Sequence, residues 1–168
     1  MAALKQDKPV KKPLADFEAM NFPLLGEFPE LYKEKAQSQE ELLVKAVHLS
    51  KKNAILLRVL PLLVKNLENE LDEDHLVFWS KRLHVDRELG FVLELTAQLS
   101  GNKKFTKLAK KLKDKRWNKL NAFFEKEKDL TGFQAKLVEE NTPKLAKKWF
   151  LKLNMGLDSF KSHYIKFA

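Results

Sequence analysis

Over residues 102–130, NKKFTKLAKKLKDKRWNKLNAFFEKEKDL, the densest positive charge in the chain overlies a helical repeat of apolar residues. That periodicity restricts the fold more than any other feature. At about 100° per residue, Phe105, Leu108, Ala109 and Leu112 fall in one narrow stripe, the spacing of a helix with one face in a core. Lys103, Lys104, Lys107, Lys110 and Lys111 spread over the other face. Gly101 is placed to close the preceding helix and Asn102 to cap this one. Trp117, Leu120 and Phe124 make a second stripe, with Phe123 beside it. The phase slips at residues 113–116, which predicts two short helices with a tight connection.

The same period recurs along the chain, and sustained period-two alternation is nowhere found. Ser38-Gln39-Glu40-Glu41 reads as a capping box opening a helix to about Ser50, with Leu42, Leu43, Ala46, Val47 and Leu49 inward. Asn53 caps a helix expected to reach about Leu71. Its apolar run, residues 55–64, predicts the most buried helix, kinked or divided at Pro61. Asp72-Glu73-Asp74 suits the start of the next helix, with Leu76, Val77, Trp79 and Leu83 following. Asp86 is placed to cap a helix through Ser100 whose inner face is Leu89, Val92, Leu93, Thr96 and Leu99. There Gly90 allows a close helix contact. Residues 134–141 form a short helix. Thr142-Pro143 restarts another, with Thr as cap and Pro in the first turn. That helix places Leu145, Ala146, Trp149, Phe150 and Leu153 on one face and Lys144, Lys147, Lys148 and Lys152 on the other. Asp158 or Ser159 caps a last helix carrying Phe160, Tyr164 and Phe167.

The expected fold is therefore all-α: a compact domain of about eight or nine short helices, or stacked helix pairs, over residues 38–168. Residues 1–13 are lysine- and proline-rich and read as a flexible basic tail. Residues 14–37 are apolar but broken by Pro23, Gly26 and Pro29, and read as an irregular segment packed on the body. The two short helices predicted over the lysine-rich stretch, the first carrying Leu108-Ala109-x-x-Leu112, resemble a helix-turn-helix across about 25 residues. The turn of that pair, Lys113-Asp114-Lys115, has no glycine.

Composition narrows the chemistry. The chain has no cysteine, so disulfides, thiolate metal sites and cysteine nucleophiles are excluded. His48, His75, His84 and His163 form no zinc-hydrolase pair, and phosphate-cradling glycine loops and a nucleophile elbow are absent. No enzyme, metal, cofactor or small-molecule substrate is expected. A secretory signal and a run of about 18 apolar residues are also missing, which leads us to expect a cytoplasmic protein without a transmembrane segment.

The net charge of +9 is uneven. Residues 1–100 hold 14 Lys/Arg against 16 Asp/Glu, whereas residues 101–168 hold 18 against 7. Charge so segregated suits a polyanion or an acidic protein. The leading expectation is nucleic-acid binding through phosphate contacts by Lys103, Lys104, Lys107, Lys110, Lys111, Lys115, Arg116, Lys119, Lys144, Lys147 and Lys148. The alternative is a helical interaction module docking an acidic partner. Only four of the basic residues are arginines (Arg58, Arg82, Arg87 and Arg116), so sequence-tolerant electrostatics is favoured over bidentate base reading.

Overall fold

The computed structural model describes residues 38–168. The basic tail expected over residues 1–13 and the packed segment expected over 14–37 lie outside these residues. The described chain is all-α, apart from one pair of two-residue strands.

Helix α1, Gln39–Ser50, opens as the capping box predicts: the Glu41 N–H donates to Ser38 Oγ at 3.1 Å. Its Glu40 carboxylate accepts from the Asp72 N–H at 2.6 Å, which fixes α1 against the start of α3. In α2, Ala54–Asn66, the Asn53 side chain caps the Ile55 and Leu56 N–H groups. This helix is neither divided at Pro61 nor continued to Leu71. A mid-helix proline removes one hydrogen bond, but residues around Pro61 are buried on nearly every side, and that packing holds the helix together.

In α3, Glu73–Arg82, Asp72 Oδ1 accepts from the Asp74 and His75 N–H groups, both at 3.0 Å. Helix α4, Asp86–Ser100, departs from expectation at its start. Val85 occupies the cap position without a side-chain bond, and Asp86 instead accepts from the buried Ser80 hydroxyl at 2.7 Å. Residues 88–97 of α4 are all buried, so α4, not α2, is the central helix. It packs against α1, α2, α3, α5 (Lys103–Lys110) and α7 (Lys144–Lys148). That many-sided contact makes a compact body, unlike a stack in which each repeat meets only its neighbours. One continuous hydrophobic cluster joins side chains from nearly every element.

The C-terminal part differs most from the sequence reading. After α5 the predicted second helix does not form. Residues 113–120 run through turns into strand β1, Asn121–Ala122, which pairs in parallel with β2, Leu151–Lys152. The Asn121 N–H donates to the Phe150 carbonyl at 2.8 Å and the Phe123 N–H to the Lys152 carbonyl at 2.9 Å. A 3-10 turn over Glu125–Glu127 leads to α6, Gly132–Asn141, of which only Val138 is buried. Thr142 is not the cap of α7; Pro143 takes that position. The Thr142 hydroxyl instead donates to the Val138 carbonyl at 2.6 Å and accepts from the Leu153 N–H at 3.1 Å. Helix α7 ends at Lys148 rather than Leu153, because Phe150 turns into the left-handed region at φ 54° and sends the chain into β2. Helix α8, Leu157–Phe167, begins after Gly156 without a side-chain cap, so neither Asp158 nor Ser159 caps it.

Candidate nucleic-acid interface

Helix α5 presents lysines because its other face is anchored. Phe105, Leu108, Ala109 and Leu112 are each 2% exposed or less, packed chiefly on α4. Gly101, at φ 74°, ends α4, and Asn102 Oδ1 caps the Lys104 N–H at 2.9 Å. With that stripe inward, Lys103, Lys104, Lys107, Lys110 and Lys111 are all exposed.

Their electrostatic situations differ. Lys111 is paired with Glu73 of α3, which raises its pKa. Lys104 Nζ folds back onto the Glu68 carbonyl at 2.5 Å. Lys103, Lys107 and Lys110 make no ion pair among the described residues. Beyond the helix, Asp114 Oδ1 accepts from the Arg116 N–H at 2.9 Å, a local turn that halts helical continuation. Asp114 also takes the Arg116 guanidinium, with Oδ2 and Nη2 2.6 Å apart. Those bonds hold the Asp114 carboxyl down to about 2 and raise the Arg116 pKa. Arg116 is therefore locally neutralised, whereas Lys115 and Lys119 are exposed and outside any ion pair among the described residues.

The second basic group is smaller than its sequence suggests. Lys144 and Lys147 are exposed, but Lys148 pairs with Glu94 of α4. Glu94 also accepts from the Trp149 indole N–H at 2.7 Å. The Trp149 ring sits directly on Gly90: a Cβ there would come within 2.1 Å of it. The close contact that Gly90 permits is thus with an indole, not with another helix backbone. Two further basic residues, absent from the predicted set, join the groups together. Lys113 Nζ lies 5.3 Å from the Trp149 ring centre, and the Arg87 guanidinium lies 5.0 Å from that of Trp117. Arg87 also donates to the Lys119 carbonyl at 2.8 Å and the Phe150 carbonyl at 3.1 Å, bracing both strand approaches. Its partly desolvated position lowers its pKa. No sequence signal announces these contacts, since Lys119 and Phe150 lie 32 and 63 residues from Arg87.

The structure therefore brings together a subset of the predicted residues. The predicted helix-turn-helix does not form, because the residues of its second helix run through turns into β1. Trp149 is buried, and Trp79 and Trp117 pack partly buried on the core, each also covered by an arginine. Among the described residues no cluster of His, Asp and Glu is grouped to hold a metal ion, and no helix is long and apolar enough to cross a membrane. No family model matches the chain, and neither a curated protein nor a solved structure is detectably similar to it.

Proposed function

We propose that this protein binds nucleic acid through the outer face of α5 and the basic segment after it, by phosphate contacts that do not read sequence. One observation carries the reading. Lys103, Lys107 and Lys110 stand on the exposed face of an anchored helix, and no carboxylate among the described residues neutralises them. Lys115 and Lys119 extend that charge. Between residues 103 and 119 Asp114 is the only acidic residue, and Arg116 occupies it. Ammonium groups carried on one face of a packed helix bind a phosphate backbone by releasing its counterions, and such contacts position a protein without specifying bases. Because the predicted second helix does not form, the helix-turn-helix resemblance lends no support to base readout by that segment.

The test is fluorescence anisotropy of labelled duplex and single-stranded oligonucleotides across a salt series. Affinity should fall with salt by a slope of about −0.9 per phosphate contact on duplex DNA and about −0.7 on single strands. Replacing Lys103, Lys107 and Lys110 together by Gln should flatten the duplex slope by up to about three units, equally for unrelated sequences. Lys111→Gln, Arg116→Gln and Lys148→Gln should each change it less, since a carboxylate already holds each cation. An unchanged slope in the triple variant would exclude this face. If the parent protein did not bind at about 50 mM salt, nucleic acid would be excluded and an acidic protein would become the partner to seek.

A further inference from the structure

A second feature lies apart from the lysines of α5. A cavity of about 470 Å³ opens between the first turns of α2, the 3-10 turn and α6. Its volume is in the range of small-molecule sites. Phe124, Leu130, Leu137, Val138 and Met155 supply an apolar wall. Charged groups converge on the same space: Arg58, Lys126 and Glu127.

The balance among those three is lopsided. Glu127 contributes the one negative charge: its two oxygens share the Asn154 N–H at 3.2 and 3.4 Å. Burial raises its pKa while that bond, Lys126 and Lys152 oppose the rise, which leaves one carboxylate against two cations. Arg58 is half-buried, and its Nε donates to the Ser159 hydroxyl at 2.7 Å, but among the described residues it has no ion pair. A guanidinium offers five N–H donors in a fork suited to a carboxylate. Lys126 Nζ, 5.7 Å from the Phe124 ring centre, is likewise without a carboxylate within ion-pair distance among the described residues. Partial burial of a guanidinium without a counter-charge is unfavourable unless something supplies one. The wall beside them offers apolar contact as well as polar groups, which suits a ligand with both.

We infer that this cavity binds a small amphiphilic carboxylate, its head on Arg58 and Lys126 and its apolar body against Phe124, Leu137 and Met155. The site does not depend on the nucleic-acid reading. The test is calorimetric titration of the full chain with octanoate, and with 1-octanol as a neutral isostere. Saturable one-to-one binding of octanoate is expected, with octanol weaker by about tenfold or more, the worth of one charge-assisted pair. Arg58→Gln should weaken octanoate binding by a similar factor, and Lys126→Gln by less. Leu137→Trp, at a side chain 37% exposed, should fill the mouth and abolish binding without disturbing the fold. Lys103, Lys107 and Lys110 changed to Gln should leave octanoate binding as it was. Equal binding of octanoate and octanol, an ineffective Leu137→Trp variant, or no saturation by about 1 mM would overturn the assignment.

Discussion

Residues 103–112 and 113–124 look alike in sequence: both are lysine-rich, and both place apolar residues at helical intervals. The first is a helix and the second is not. In α5 the four apolar residues of the stripe are buried together, so one helical face satisfies them all. In the second segment Phe123 and Phe124 are adjacent, yet 0% and 3% exposed. The chain bends just after β1, and the two rings meet edge-to-face at 5.3 Å, so both enter the core together, which one helical stripe would not give. Phe123 meets Phe91 of α4 edge-to-face at 6.3 Å, and Phe124 lines the cavity beside α6. Leu120, the middle of the predicted stripe, is 37% exposed. An apolar stripe thus marks residues with affinity for a core; it does not by itself choose the backbone that takes them there.

Truncating the anchors sharpens this contrast most. Phe123→Ala should destabilise the protein by about 3–5 kcal/mol and Leu108→Ala by about 2–5 kcal/mol, read from urea unfolding. The second segment would then be as integral to the core as α5. A loss below about 1 kcal/mol for Phe123→Ala would mean that the segment is peripheral. Leu120→Ala probes the backbone itself. In the observed chain, where this side chain is 37% exposed, the change should cost about 1 kcal/mol or less. A loss like that of Leu108→Ala would restore the continuous helical stripe.

The smallest effect lies at the junction of the two segments. The folded pKa of Asp114, about 2, is below its ordinary value, so the turn it makes contributes stability above the usual carboxylate range. That contribution should be lost as pH falls from about 4 through about 2. Carboxyl NMR titration should find Asp114 ionising near the lower limit in the parent. In Arg116→Gln it should shift back up, because the largest cause of the shift, the Arg116 side-chain bond, is gone. No shift in that variant would mean that the Arg116 side chain does not hold the turn.

Where sequence reading succeeded, the determinants were local. Ser38, Asn53, Asp72 and Asn102 each cap the helix beside them through a bond spanning two or three residues, and Gly101 takes the left-handed form that few other residues adopt readily. The outward lysines of α5 were legible for the same reason: once the inner stripe is known, the opposite face follows from helix geometry. The failures were contacts between distant positions. Asp86 suits a cap, but the buried Ser80 hydroxyl claims its carboxylate. Thr142 also suits one, but Leu153 and Val138 claim its hydroxyl. The helix expected to reach Leu153 breaks at Phe150, whose carbonyl accepts from Asn121 and Arg87.

The candidate surface divides in the same way. Sequence alone determined the all-α class, the helix starts set by side-chain caps and the excess of positive charge in the last 68 residues, since propensity, capping and composition act within a turn or two of chain. Tertiary structure decided which of those charges remain free. Glu73 and Glu94 reach Lys111 and Lys148 across 38 and 54 residues and neutralise them, while Lys103, Lys107 and Lys110 meet no such carboxylate among the described residues. An ion pair depends on distance in space, and only the packing of α3, α4, α5 and α7 sets those distances.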